Sequence, residues 1–263
     1  MLGAIAGDII GSTHERRRVT TRRFAMFPHG SRFTDDTVLT AAVASALIDA
    51  RRASDGVAPD YHSAVLAFAR KWPHAGYGGN FHNWIYSRDP GPYNSWGNGS
   101  AMRVSPVGFA FDDEATVLRE AERSAAITHN HPEGIKAAQA VALGVLLARQ
   151  GNSKEQIRTS IASRFGYDLD RTIDDIRPTY HFEVSAQKSV PEAIIAFLDS
   201  DDFESAVRNA IWLGGDADTQ ACIAGALAEA HYGGVPTRIA NETRKRLPAE
   251  ILSVLDEFSE MTQ

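Results

Sequence analysis

Only one of the 263 residues is a cysteine, Cys222, which excludes an intramolecular disulfide and a multi-cysteine zinc site and suits a reducing compartment. Positive charge is also in deficit. Twenty-seven Lys and Arg face 33 Asp and Glu, a formal charge of -6 with pI about 5.8, so non-specific attraction to nucleic acid is not the main theme. No stretch is long and apolar enough to span a membrane. The opening 1–7 is apolar but meets Asp8 at once without a basic n-region, a poor secretory signal, and the cytoplasm is the expected location. Repeats, low-complexity tracts and linker-like breaks in composition are lacking as well. What is present, 43% hydrophobic and 23% charged residues, suits a sizeable core, and one domain over 1–263 is expected.

Strand signals are nearly absent, and helical spacing runs through the chain. Val38, Leu39, Ala42, Val43, Ala46 and Leu47 recur at i, i+1, i+4, i+5, i+8 and i+9. The pattern predicts helices over 2–14, 37–52, 61–71, 100–109, 113–127, 132–149, 153–164, 191–198, 203–212, 219–232 and 248–259. Ser153 and Asp202 stand where helix caps belong. The fold class this predicts is all-α, a compact single-domain helical bundle, expected to be monomeric.

The stretch 213–219, Leu-Gly-Gly-Asp-Ala-Asp-Thr, stands before an alanine-rich helix. A spacing of two cannot put Asp216 and Asp218 on one helical face, but a glycine-shaped entry loop can turn both toward one point, as a hard cation requires. The plainer reading is an Asp cap with a second acid at the positive end of the helix dipole. Elsewhere, Thr34-Asp35-Asp36-Thr37 puts adjacent acids at a helix start, and Gly7-Asp8-Ile9-Ile10-Gly11 leads to Glu15. Residues 97–103, Gly-Asn-Gly-Ser-Ala-Met-Arg, form a turn whose backbone N–H groups suit a phosphate. Thr128-His129-Asn130-His131 offers two histidines for zinc, for a substrate hydrogen bond, or for a simple interhelix turn. Arg16, Arg17, Arg18, Arg22 and Arg23 form either a solvated loop or a face for an anionic macromolecule. The stretch 73–97, rich in Gly and aromatic residues, is either a stacking surface or rings that pack a loop down.

Taken in chain order, the Gly-Asp start with Glu15, the Thr-Asp-Asp-Thr element, the Gly-Asn-Gly-Ser-Ala-Met-Arg turn, Thr128-His129 and the Gly-Gly-Asp-x-Asp-Thr element cover nearly the whole chain and resemble the ADP-ribosylglycohydrolase family, the hydrolases related to dinitrogenase reductase-activating glycohydrolase and the ADP-ribosylarginine hydrolases. The resemblance implies an all-helical fold with a dinuclear site for two Mg2+ or Mn2+ ions. Thr34, Asp35 and Asp36 match its first ligand cluster, and Asp216, Asp218 and Thr219 its second. Glu15 matches the family's mobile glutamate, Gly97, Asn98, Gly99 and Ser100 its phosphate loop, and His129 its substrate-side histidine. Asp8 belongs to the motif without being assigned to the metals. The ligand chemistry agrees, because carboxylates with hydroxyl helpers suit hard, oxygen-loving ions.

The expected reaction is water attack at the anomeric carbon through an oxocarbenium-like transition state, releasing ADP-ribose from a modified protein, nucleic acid or small molecule. Glu15, Asp35 and Asp218 are the catalytic candidates, with Glu15 assisting the water or the leaving group. Two alternatives stand beside this: a dinuclear phosphoesterase, and a member that binds ADP-ribose without turnover. The linkage, whether to arginine, serine, a nucleobase or an O-acyl ester, is left open.

Overall fold

A computed structural model describes residues 1–15, 17–53 and 56–262; Arg16, counted above in the basic cluster, lies outside them. Helices run from α1 (Leu2–Gly11) through α2 (Asp35–Ala53), α3 (Tyr61–Lys71), α4 (Gly79–Ile85), α5 (Gly99–Met102), α6 (Ser105–Ala110), α7 (Glu114–Ala126) and α8 (Pro132–Arg149). They continue as α9 (Lys154–Phe165), α10 (Ile173–Ile176), α11 (Ala186–Leu198), α12 (Phe203–Leu213), α13 (Ala217–Tyr232), α14 (Thr237–Arg244) and α15 (Ala249–Met261). Among the described residues the nearest thing to a sheet is a single antiparallel bridge between Gly97 and Ser185. No described helix is long and apolar enough to cross a membrane.

The core is built on α13, which is buried continuously from Ala217 to Ala228 and packs against α1, α8, α11 and α12. Alanine at this density lets neighbouring helices approach closely, since interaxial distance follows side-chain size. The approach is tightest against α1. A Cβ on Gly3, Gly7 or Gly11 would lie 2.3, 1.9 or 2.5 Å from the α13 backbone, at Gly225 O, Ala221 O and Asp218 Cα respectively. Spaced by four, the three glycines form one bare stripe along α1. Glu229 of α13 fixes the register at the far end, accepting from the Met1 amino group at 2.6 Å and from Gly3 N at 2.8 Å. This seam sets Asp8 of α1 beside the acid-bearing start of α13.

The predicted helices form, several with ends moved by one or two residues, α2 among them starting early at Asp35, and four differ in ways that matter here. Residues 100–109 split into α5 and α6 at Arg103 and Val104, both still in the right-handed helical region, because Pro106 in the first turn of α6 has no N–H to donate to the carbonyl of Met102. α1 stops at Gly11 rather than continuing to residue 14. α13 begins two residues early, at Ala217. α11 begins at Ala186, so Pro191 sits inside it rather than opening it. Three helices have no counterpart in the periodicity. α10 has four residues held by a capping box between Thr172 and Asp175, α14 buries only Ile239 and Thr243, and α4 starts at a Gly-Gly pair.

In the stretch 73–97 most of the aromatic rings pack the segment down. Tyr77, Phe81 and Trp84 follow one another with ring centroids 5.3 Å apart. Tyr86 and Trp96 remain exposed. The basic segment is likewise anchored in part, with Arg18 donating to Arg177 O and to Leu213 O, and Arg22 paired with Asp174 at 2.7 Å.

Candidate active site

Two glycines in the left-handed region, Gly214 (φ 84°) and Gly215 (φ 85°), turn the chain between α12 and α13. Asp216 then stands at the N-cap position, but its side chain caps nothing; Asp216 Oδ2 accepts from Asn98 Nδ2 at 2.7 Å. The plain capping reading of Asp216 therefore fails, and its carboxylate is held toward the glycine turn ahead of α5. Asp218, in the first turn of α13, is close enough to Asp216 to act on its carboxyl. From α2, Asp36 approaches the same point, and Thr219 Oγ1 donates to Asp36 Oδ2 at 3.4 Å across 183 residues of chain. Asp36 Oδ1 is buried without a hydrogen-bond partner.

Asp8 is the residue whose position sequence reasoning left open. It is fully buried and accepts from Thr34 N (2.9 Å), Thr34 Oγ1 (2.6 Å), Thr37 N (3.1 Å) and Thr37 Oγ1. Four donors on one carboxylate make Asp8 the brace that shapes the start of α2. It is also part of the acid cluster, since oxygens of Asp8, Asp36 and Asp218 all lie within 4.8 Å of one another.

Among the described residues no salt bridge reaches Asp8, Asp35, Asp36, Asp216 or Asp218. Burial, and then the charge of Asp218, push Asp8 up to about 7. The same two causes, followed by Asp8, push Asp35 up to about 8. Asp36 and Asp216 are raised well above the ordinary carboxylate range, chiefly by burial. An all-oxygen donor set with crowded acids, no protein counter-cation and an orphaned carboxylate oxygen fits a hard divalent cation.

These shifts carry a sign. Each acid binds its proton more tightly folded than unfolded, so its contribution to stability is complete below the unfolded pKa near 3.8 and is lost as pH rises through about 7 and about 8. The melting temperature of chelator-treated protein is expected to fall from about pH 5 to about pH 8.5, and a divalent cation added at the upper end to restore it. A flat or rising profile would show that the acids are not crowded in solution.

Asp35, Asp36, Asp216 and Asp218, but not Asp8, line the floor of a cavity of about 430 Å³. Glu15 lines one wall at the end of the turn after α1, near enough to Asp35 and Asp216 to add to the upward push on both. Gly97, Asn98, Gly99 and His129 also line the cavity, whereas Ser100 is not among its lining and its hydroxyl donates to Gly134 O at 2.7 Å. His131 does not join His129; its ring caps α8, accepting from Glu133 N at 3.1 Å, so the histidine pair forms no zinc site. Tyr93, Arg103, Phe182 and Val184 are among the other residues of its walls, as is Arg32. Phe182 and Val184 come from a segment without periodicity or motif, and the signal that placed them is the pairing of 97 with 185.

A family model described as ADP-ribosylglycohydrolase matches residues 1–263. The chain belongs to the ADP-ribosylglycohydrolase family. It is thereby a hydrolase of the family that acts on glycosidic bonds, and its helical architecture is the family's. ADP-ribosylhydrolase ARH3 of Mus musculus is 27% identical over 308 residues, spanning 89% of this chain and 82% of that protein. The Homo sapiens protein of the same name is 28% identical over 309 residues, spanning 89% and 84%. An ADP-ribosylarginine hydrolase of Pseudomonas putida (strain GB-1) is 28% identical over 165 residues, spanning 58% of this chain and 43% of that one. A solved structure titled ADP-ribosylglycohydrolase-related protein complex superposes with a TM-score of 0.68 at 24% identity, covering 100% of this chain and 97% of that one. At that identity the likeness speaks for the ADP-ribosylglycohydrolase fold alone.

Proposed function

We propose that this chain is a metal-dependent ADP-ribosylhydrolase that cleaves the N- or O-glycosidic bond between ADP-ribose and a modified target. The observation that carries the reading is the convergence of two acid clusters, from the starts of α2 and α13, on one cavity that Glu15 and the Gly97 turn also line. Thr34, Asp35 and Asp36 on one side, and Asp216, Asp218 and Thr219 on the other, would hold two Mg2+ or Mn2+ ions. Bound there, such ions supply Lewis acidity toward ribose hydroxyls and lower the pKa of a nearby water.

The chain's own residues do the rest. The cavity floor fixes the ribose, with Asp36 and Asp216 oriented by Thr219 and Asn98. The Gly97 turn and His129, which line the same cavity as Glu15, receive the phosphate-bearing end of the ligand. The Glu15 carboxylate accepts the proton of the attacking water, or passes one to the leaving group, as positive charge develops on the ribose. Both clusters are intact, which favours turnover over an inert binding module.

Product analysis with metal-loaded protein tests this. ADP-ribose released from arginine-, serine-, nucleobase- or O-acyl-linked substrates supports the glycosidase, AMP supports a phosphodiesterase, and binding without turnover supports the module. Glu15→Gln is expected to lower kcat about 100-fold or more while ADP-ribose still binds, since a general base contributes roughly 10²- to 10⁴-fold. Single-turnover kinetics beside calorimetry check it, and near wild-type turnover would leave Glu15 a wall residue without a part in the chemistry.

A further inference from the structure

Arg103, at the break between α5 and α6, is fully buried, an expensive place for a charge. Its Nη2 donates to Ser124 O at 2.9 Å and to Thr128 Oγ1 at 3.0 Å. Thr128 is fully buried too, and its Oγ1 lies 2.7 Å from His129 Nδ1. A guanidinium can only donate, so the threonine oxygen must accept from Arg103. That leaves one hydroxyl proton to place. The Thr128 hydroxyl has a single remaining partner, the Nδ1 of His129. If Nδ1 carried a proton, two donors would converge on Oγ1 and its own proton would be left without a protein acceptor at a buried position, at a cost of about 1–3 kcal/mol for a buried unsatisfied group. If Nδ1 is bare, the Thr128 hydroxyl proton has an acceptor and Oγ1 still accepts from Arg103.

We infer that Arg103 and Thr128 are positioning residues which lock His129 as the neutral tautomer with its proton on Nε2, so that His129 meets the ligand as a hydrogen-bond donor. The geometry at the other end of the ring agrees. His129 Nε2 is beside the glycine turn, 3.0 Å from where a Gly99 Cβ would stand and 3.7 Å from where a Gly97 Cβ would stand. The ring lines the cavity there. Burial and the nearby Arg103 charge hold the imidazole well below its ordinary pKa, so it stays uncharged. An uncharged donor beside a glycine turn complements an anionic oxygen of the ligand without attracting the acid cluster. Among the described residues no carboxylate pairs with Arg103 and its Nε and Nη1 are buried without partners, so its charge acts through Nη2, which polarises Thr128 toward His129. The donor role rests on the functional reading above, whereas the tautomer does not.

The test is ring 15N spectroscopy of the whole ligand-free chain, with the His129 signals identified by their loss in His129→Gln. A pyridine-type Nδ1 and a pyrrole-type Nε2 are expected, and the reverse pattern or an averaged one would overturn the inference. Thr128→Val removes the hydroxyl and keeps the shape; it is expected to mix the tautomers and weaken ADP-ribose binding about tenfold, the scale of one hydrogen bond to a charged group. Thr128→Ser restores the hydroxyl and should restore both readings, which a merely structural role would not require. Wild-type affinity in Thr128→Val together with an unchanged tautomer would sink the relay. A wild-type chain that shows the expected tautomer yet ignores ADP-ribose would overturn the functional reading alone.

Discussion

Asp36→Asn and Asp216→Asn are each expected to lower turnover by more than about 100-fold, because even the partners that orient metal ligands typically cost 10- to 100-fold when removed. The same substitutions are expected to leave the metal-free chain as stable as before, or to raise its melting temperature. The reason is that both carboxylates are buried among like charges and without a protein cation. Replacing one of them with a neutral isostere removes repulsion and desolvation cost together. Asp216 gives the sharper case, since its side chain caps no helix and its protein partner is the Asn98 amide. A residue kept for the fold would behave the opposite way, losing stability and activity in parallel. Thermal unfolding in chelator beside steady-state kinetics in Mg2+ or Mn2+ separates the two. Full metal-dependent turnover in both variants would return these acids to the status of ordinary helix-start residues.

Gly7→Ala is expected to destabilise the chain by roughly 3 kcal/mol or more, at or beyond the upper end of what overpacking usually costs. The added methyl would stand 1.9 Å from Ala221 O. That obstacle is a backbone carbonyl inside a buried helix, so no rotamer change relieves it, and α1 must move off α13 as a body. Asp8 would be carried away from Asp218, and the start of α2 that it braces would follow, so activity should fall with stability. Gly79→Ala is the control, because a methyl there meets nothing within 4 Å. It should lie within about 0.5 kcal/mol of wild type. Urea unfolding of the two variants side by side checks the contrast, and equal midpoints would mean the helix pair tolerates separation.

The sequence made much of this legible, and where it did not, the cause is physical. Long alanine-rich runs such as 219–232 announce a helix because many residues repeat one spacing, whereas α10 has too few residues to show a period and α14 too few apolar ones. Pro191 was read as a helix start because proline is at ease there, yet in the second turn of α11 it forfeits only one backbone bond. The acids of both clusters were visible as motifs, but their meeting was not, since Asp36 and Thr219 are 183 positions apart and their approach depends on how α1 and α2 pack against α13. Asp8 looked like a motif residue without a task; its four donors come from Thr34 and Thr37, whose approach depends on the same packing. The Arg103 relay was hidden because a burial that complete cannot be read from a charged letter.

The anchoring of Arg18 bears on how far Glu15 can travel. On one side of Glu15 the chain leaves Gly11, wedged against Asp218; on the other it reaches Arg18, whose side chain holds Leu213 O and Arg177 O. Glu15 is thus on a short leash, three residues from one fastening and four from the other. At about 3.3–3.6 Å per extended residue, its Cα cannot stray more than roughly 11 Å from the Arg18 Cα while that fastening holds. Any swing that clears the cavity is a local flick of one turn and one side chain, and a sweeping flap is beyond its reach. Cutting the leash with Arg18→Ala would lengthen the free segment without touching a single acid of the floor.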